Sequence, residues 1–423
     1  MLSVNQIREN YQDYINRLAV KNFKAQELFN EIISLDDLRK QTQKESDEIL
    51  AESNNLSREI GQLFKAGKAD EAQKAKERTS ELKERNKELS EILANTIAQL
   101  DRLLVTIPNV PHQSVPAGKS AEDNEIVNRW GEPAVMDETA IPHWELAAKY
   151  DIIDFELGNK ITGAGFPVYK GKGARLQRAL INFFLDRAAD AGFREVQPPL
   201  MVNEASGYGT GQLPDKDGQM YFVNEDGLYL IPTAEVPVTN IYRNTIVNAT
   251  DFPIKNTAYS ACFRREAGSY GKDVRGLNRL HQFDKVEIVV IDHPDHSYSM
   301  LEEMSNYVQS LLRDLELPYR VLRLCGGDMS FTSALTYDME VYSAAQKRWL
   351  EVSSVSNFES YQSTRMKLRF KNEEGKMVMA HTLNGSALAL PRIVAALLEN
   401  NQENDRIRIP KALIPYTGFE FID

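Results

Sequence analysis

Cysteine is nearly absent from this chain. Only Cys262 and Cys325 occur in 423 residues, so neither a disulfide framework nor a four-cysteine zinc site can be built, and no zinc is expected. A reducing, cytoplasmic setting is the matching expectation. Long apolar runs are also missing: no stretch of 18 apolar residues is available to span a membrane. Met1 to Asn22 mixes Arg8, Glu9, Asp13 and Arg17 into its apolar positions and does not read as a signal peptide. Positive charge is in deficit, 50 basic against 61 acidic residues for a net charge of -11. That excludes a non-specific nucleic-acid coat, on DNA included, while leaving room for a local basic site. The rest is ordinary for a folded protein, 42% hydrophobic and 26% charged, and the length predicts two domains.

Proline and glycine are almost missing from Ala25 to about Leu104, a stretch dense in Glu, Lys, Gln and Leu. Leu28, Leu35, Thr42, Ile49, Leu56 and Leu63 recur every seven residues, with Ile32 and Ile60 on a companion track. From Ala75 through Thr79, Leu82, Asn86, Leu89, Leu93, Thr96 and Leu100 to Leu103 the spacing alternates four and three. That is a coiled-coil seam. Between the runs Gly67 can turn the chain and Asp70 can cap a new helix, so two long helices fold back antiparallel as an arm of roughly 50 Å. Polar Arg39, Ser46, Ser53 and Asn86 interrupt the seam, which predicts a narrow lever rather than a core.

Pro108, Pro111 and Pro116 then end the helical pattern and mark a linker. Beyond it, helical stretches (173–191, 295–316, 386–401) alternate with β-branched and aromatic runs (228–231, 257–263, 283–291, 319–324, 349–358, 377–383). Several runs follow one another with no helix between, which predicts an α+β fold on an antiparallel β-sheet and not a doubly wound parallel one.

Some signals carry no chemistry. Gly118-Lys119-Ser120 lacks the earlier glycine of a phosphate loop, Gln113 standing there. His293-Pro294-Asp295-His296 reads as a strand-to-helix corner with Asp295 as the cap, and Cys262 as a packed side chain. The connection from Arg264 to His281 is different. It is too long for a hairpin, contains Gly268, Gly271 and Gly276, and carries Arg264, Arg265, Lys272, Arg275 and Arg279 against only Glu266 and Asp273. A basic flap over a polyanion and a solvated charged loop both fit.

These residues carry a resemblance. Phe263-Arg264-Arg265-Glu266, with Ala267-Gly268-Ser269 and 281–287 around it, resembles the second motif of class II aminoacyl-tRNA synthetases in their bacterial-type seryl family. Residues 173–202, a helix followed by an extended run with Pro198-Pro199, resemble the first motif, and 382–392 the third. Further signatures lie at 107–111, 231–237 and 351–357, so the likeness runs end to end. The third motif departs from the family at Ala387 and Pro391, where glycines are common; Pro391 suits the first turn of a helix.

The resemblance implies seryl-tRNA synthetase activity. L-serine and ATP would form a seryl-adenylate, and the seryl group would pass to tRNA(Ser), and to tRNA(Sec) where present. It implies an N-terminal tRNA-binding domain with the arm (1–104), a linker (105–120) and a class II catalytic domain (121–423), in a homodimer with no membrane partner. Arg264 would contact the α-phosphate and the serine carboxylate, and Glu266 the adenine amino group. Phe283 would stack on adenine, and Arg392 would hold the γ-phosphate. Glu351 and Ser354 would carry Mg2+ and triphosphate contacts, with Arg265, Val352 and Ser353 also on ATP. Thr233 and Glu235 would take the serine ammonium, and Glu287, Asn384 and Ser386 its hydroxyl side. Lys65, Lys68, Lys74, Lys76 and Arg78 would form a tRNA-binding tip.

From the residues alone, several placements stay open. Glu287 interrupts an apolar strand and is either on a solvent face or buried against a donor. Phe283 suits ordinary sheet packing equally, and the tip cations are nearly balanced by Asp70, Glu71 and Glu77. Two rival readings are a relative that loads an amino acid onto a carrier protein and a non-catalytic coiled-coil interaction protein.

Overall fold

The computed structural model describes residues 1–133, 136, 140–215, 217–267 and 275–423. The chain divides into one unit of Met1–Ala19 with Phe23–Pro108 and a second of Val20–Asn22 with Asn109–Asp423.

The first unit is helical. Short helices α1 (Val4–Glu9) and α2 (Tyr11–Val20) precede α3 (Gln26–Lys65) and α4 (Ala69–Leu104). Ser3 and Gln6 close a reciprocal cap on α1. With no proline inside them, α3 runs 40 residues and α4 36, and Gly67 at φ +73° makes the reversal. The pairs Glu45–Arg85 and Glu52–Arg78 show the antiparallel sense: seven residues further along α3, the partner lies seven residues back on α4. Beside the first pair the Ser46 hydroxyl donates to Asn86 Oδ1 at 2.7 Å. Ile32, Thr42, Leu82, Leu89, Thr96 and Leu100 are buried along the seam.

Two details differ from expectation. Lys68, not Asp70, occupies the position before α4; Asp70 sits in the first turn, where its charge still suits the helix dipole. Near the base, Phe29 and Asp36 are buried while Leu28 and Leu35 are only half-buried. The cause is a third helix: Arg8 of α1 reaches Asp36 at 3.0 Å, so the inward face there serves more than one partner.

Among the described residues the largest sheet of the second unit has eight strands: β1 (Glu125–Trp130), β2 (Arg194–Glu195), β3 (Ile254–Phe263), β4 (Gln282–Asp292), β5 (Tyr319–Arg323), β6 (Leu335–Ser343), β7 (Arg348–Asn357) and β8 (His381–Ala389). Their order in the sheet is β1-β5-β6-β7-β8-β4-β3-β2. Neighbours are antiparallel except β2 beside β3, which is the expected α+β architecture. Helices α5 (His143–Lys149), α6 (Gly171–Asp190), α7 (Ser297–Asp314) and α8 (Leu390–Asn400) accompany it. Leu180 and Phe184 of α6, Leu301 and Val308 of α7, and Ile393 and Leu397 of α8 share one core with Val286, Ile288 and Val290 of β4. At about 25 cal/mol per Å² such burial is the main favourable contribution to folding.

The predicted helix 386–401 is corrected. Residues Ser386–Ala389 stay in β8, and α8 begins at Leu390 with Pro391 in its first turn, where the missing N–H costs no hydrogen bond. At α7 the residue before the helix is His296; the N–H of Asp295 instead donates to Nδ1 of His293 at 3.2 Å. Strand β6 escaped the sequence reading although Leu335, Tyr337, Met339 and Val341 alternate. Among the described residues no helix is long and apolar enough to cross a membrane.

Candidate active site

Side chains alternate across a strand, so Phe283, Lys285 and Glu287 of β4 share the face opposite Val286 and Ile288. Neighbouring strands continue the polar face in register: Glu287 lies across from Ser386, Asn384 from Ser356, Ser354 from Asp338, and Ser356 from Thr336. With Thr233 and Glu235 they line a cavity of about 400 Å³. An adjoining cavity of about 210 Å³ is lined by Arg264, Glu266, Phe283, Glu351, Val352, Ser353 and Arg392. Arg264, Lys285, Glu351 and Ser386 border both.

In the larger cavity Thr233 is the hub. Its hydroxyl donates to Glu287 Oε2 at 3.0 Å and accepts from Lys285 Nζ at 2.9 Å and from the Glu235 N–H at 3.2 Å. Lys285 also pairs directly with Glu287. Glu287 is therefore buried against donors, which decides between the two placements left open by its strand. Glu235 accepts from Gln362 Nε2 at 2.7 Å and more distantly from Gln212 at 3.4 Å. Burial first, then the charge of Glu287, pushes its pKa up to about 7. Gln362 is oriented in turn by the Thr382 hydroxyl, which donates to its Oε1 at 2.7 Å.

In the smaller cavity Arg264 follows the end of β3. Its Nε donates to the Pro232 carbonyl at 3.2 Å, and its guanidinium lies over the Phe283 ring, 5.1 Å from the centroid. Glu266 accepts from Arg279 Nη1 at 2.9 Å. Arg392 donates through Nη1 to the Glu351 carbonyl at 2.6 Å and through Nε to the Asn278 carbonyl at 3.1 Å. Asp338, buried in the lining of the larger cavity, has its pKa raised well above the usual carboxylate range by burial and then by the charge of Glu351, which borders both cavities.

Thus Thr233, Glu235, Glu287, Asn384, Ser386, Arg264, Glu266, Phe283, Arg392 and the segment from Glu351 to Ser354 converge. Arg265 does not: it is exposed, lines neither cavity, and is held through its backbone N–H to the Gln219 carbonyl at 2.9 Å. Lys65, Lys68, Lys74, Lys76 and Arg78 are exposed near the turn between α3 and α4. Lys68 pairs with Glu71 and Arg78 with Glu52, both at 3.0 Å, and Lys76 lies 4.8 Å from the Phe64 ring centroid. Of the expected basic flap, Gly268, Gly271, Lys272 and Asp273 lie outside the described residues, whereas Arg275 covers the Trp144 ring at 4.7 Å. The Cys262 thiol is buried and its pKa raised by that burial, as befits packing rather than nucleophilic chemistry.

Lys285, Asp338 and Gln362 were not read from the sequence. Lys285 could have been, two residues before Glu287 on one strand face. Asp338 was hidden with its strand, and Gln362, on the short helix Tyr361–Met366, gives no local signal.

Residues 1–111 match the seryl-tRNA synthetase N-terminal domain, and residues 221–401 the tRNA synthetase class II core domain (G, H, P, S and T). The serine–tRNA ligase of Salinibacter ruber is 50% identical over 421 residues, 99% of this chain and 98% of that protein. The serine–tRNA ligase of Akkermansia muciniphila is 46% identical over 100% of this chain and 99% of its own. The crystal structure of seryl-tRNA synthetase from Pyrococcus horikoshii complexed with ATP has a TM-score of 0.93 at 33% identity, covering 100% of this chain and 99% of that one. These likenesses lend nothing to a carrier-protein loader or a non-catalytic coiled-coil protein. With relatives this similar along its whole length, the chain belongs to the seryl-tRNA synthetases, class II ligases that join serine to tRNA.

Proposed function

We propose that the larger cavity holds L-serine, the smaller one ATP, and that Arg264 at their junction brings the two reacting groups together. The observation that carries this reading is the arginine's position on the border of both cavities, with Glu235 and Glu287 on one side and Phe283 and Arg392 on the other.

A serine carboxylate oxygen attacks the α-phosphorus; the bond to the bridging oxygen breaks and pyrophosphate leaves. Both reactants are anions, so the reaction depends on positioning and positive charge, which the Arg264 fork supplies to carboxylate and phosphate together. In the second step a terminal ribose hydroxyl of tRNA(Ser), or of tRNA(Sec) where present, attacks the carbonyl carbon; AMP leaves and the hydroxyl proton is lost. Thr233 and Glu235 take the ammonium group, and Glu287, Asn384 and Ser386 the hydroxyl side. Glu266 takes the adenine amino group, Phe283 its face, and Arg392 the γ-phosphate, with Val352 and Ser353 in further ATP contacts.

Mg2+ would be held by Glu351 and Ser354. The donor set fits, because hard oxygens suit magnesium, and buried Asp338 lies in register with Ser354. Bound there, the ion would neutralise triphosphate charge. We extend the reading to residues 1–104 as the tRNA-binding domain, 105–120 as linker and 121–423 as catalytic domain. In it, Lys65, Lys68, Lys74, Lys76 and Arg78 meet the backbone of the long variable arm of tRNA(Ser) by shape rather than sequence, across a homodimer in the cytoplasm.

Serine-dependent ATP–pyrophosphate exchange tests the first step, and charging of total tRNA with serine, threonine and alanine tests the whole. Alanine, lacking the hydroxyl that Glu287 pairs with, is expected to fail by ~10⁴-fold or more. No exchange with serine would end the proposal.

A further inference from the structure

His143 and Glu399 form a pair whose side chains are both 0% exposed, the imidazole Nδ1 lying 2.7 Å from Glu399 Oε1. The same carboxylate accepts from the His143 backbone N–H at 3.0 Å, from Gln346 Nε2 at 2.9 Å and from the Ser343 hydroxyl. Desolvation alone would raise the Glu399 pKa, yet these donors outweigh it and the pKa is lowered. An ionised Glu399 takes the Nδ1 proton side of the ring, which leaves Nε2 as an acceptor. That nitrogen receives the Leu277 N–H at 2.8 Å.

Leu277 and Asn278 line the smaller cavity. Asn278 donates through Nδ2 to Gln346 Oε1 at 3.1 Å, and its carbonyl accepts Arg392 Nε at the same distance. Arg392 and Glu399 are seven residues apart on α8, two turns along one face. The histidine is closed in from the other side as well: a Cβ on Gly276, whose φ is +67°, would stand 2.2 Å from His143 Nε2. The bonds therefore form a circuit: Glu399 to His143, to Leu277 and Asn278, to Arg392, and along α8 back to Glu399.

We propose that His143 and Glu399 are positioning residues for the nucleotide: they fix the Leu277–Asn278 backbone, and through the Asn278 carbonyl they aim Arg392. The proposal deepens the assignment of the smaller cavity to ATP and rests on it. A pair that only stabilised the core would affect both substrates alike.

The test uses the full chain with His143→Leu and His143→Gln, the latter carrying an Oε1 that can accept the Leu277 N–H. Hydrogen–deuterium exchange of the ligand-free protein reads the anchor directly, and ATP–pyrophosphate exchange reads the Michaelis constants. Leaving a buried donor unpaired in His143→Leu is expected to speed exchange at Leu277 by about 10-fold and raise KM for ATP by about 10-fold. KM for serine should stay within about 3-fold, and His143→Gln should restore most of both effects. Ser343→Ala, which removes one donor to Glu399 and is the milder change if His143→Leu does not fold, should raise KM for ATP and leave KM for serine unchanged. Unchanged exchange at Leu277, a parallel rise in both constants, or His143→Gln as impaired as His143→Leu would overturn the proposal. Absence of serine-dependent activity in the unaltered protein would instead sink the ATP assignment, while the amide exchange would still decide whether His143 anchors the loop.

Discussion

Lys285 and Glu287 are paired two residues apart on one strand, with side chains 6% and 2% exposed, and the Thr233 hydroxyl bridges them. Two opposite charges so far from solvent hold each other in place, and removing either leaves the other uncompensated. On the proposed assignment, the serine hydroxyl would meet a carboxylate already oriented.

Glu287→Ala should therefore damage serine use more than ATP binding. The expected outcome is a rise of about 100-fold or more in KM for serine, with KM for ATP changed by less than about 3-fold. Glu287→Gln, which keeps the volume and one acceptor, should fall between. Steady-state ATP–pyrophosphate exchange measures all three proteins, and equal losses for both substrates would contradict the assigned role.

Glu235 predicts a pH dependence. Its ordinary value of 4.5 is raised to about 7, so between those values the folded chain holds a proton that the unfolded chain has released. Its stabilising contribution is thus present below the ordinary carboxylate value and lost as pH rises through about 7. Glu235→Gln should gain stability relative to the unaltered chain on going from acid to pH ~8, by at most about 3 kcal/mol, while losing serine activation. In the unaltered protein KM for serine should fall as pH rises through the same window, because the ammonium needs the ionised form. Denaturant unfolding and exchange kinetics across pH check both signs.

At the arm, Lys65→Glu with Lys74→Glu should weaken tRNA charging and its salt dependence while sparing adenylate formation. Replacing Lys68 or Arg78 should cost less, since both are already engaged with carboxylates. Deleting residues 27–103 should likewise spare pyrophosphate exchange and impair charging; unchanged charging would refute the arm's assignment.

Asp36 is 2% exposed and meets Arg8 at 3.0 Å, Arg39 at 2.8 Å and Lys40 at 2.8 Å. Burial would raise its pKa, but the three cations lower it, so its contribution is present at neutral pH and lost as acid titrates it below the usual carboxylate value. Because the cations are partly solvated, Asp36→Ala should destabilise the helical unit by about 2 kcal/mol, between the surface and buried ranges. Hydrogen exchange across α1 and the start of α3 would register the loss.

Legibility in the sequence followed the range over which each feature is determined. The seam of α4 was readable because Ala75 to Leu103 repeat a local period that one partner helix satisfies. At Asp36 the reading failed because Arg8, 28 residues away, supplies the neighbour. Arg264 and Glu266 stand out through their motif, whereas Lys285 shows only through its spacing, two residues before Glu287 on the same strand. The boundary at Leu390 differs from the local pattern because Ser386 to Ala389 suit a helix by themselves, while pairing of Ser386 and Ala389 with β4 keeps them extended.

The alternation along β4 has a further consequence. Phe283, Lys285 and Glu287 line the two cavities while Val286, Ile288 and Val290 hold the core, and the two sets are one residue out of phase. Inserting a single residue just before Phe283 without a compensating bulge would turn charged groups into hydrocarbon and valines toward substrate. A substitution on this strand alters one side chain, whereas a change in its length would turn every one of them at once.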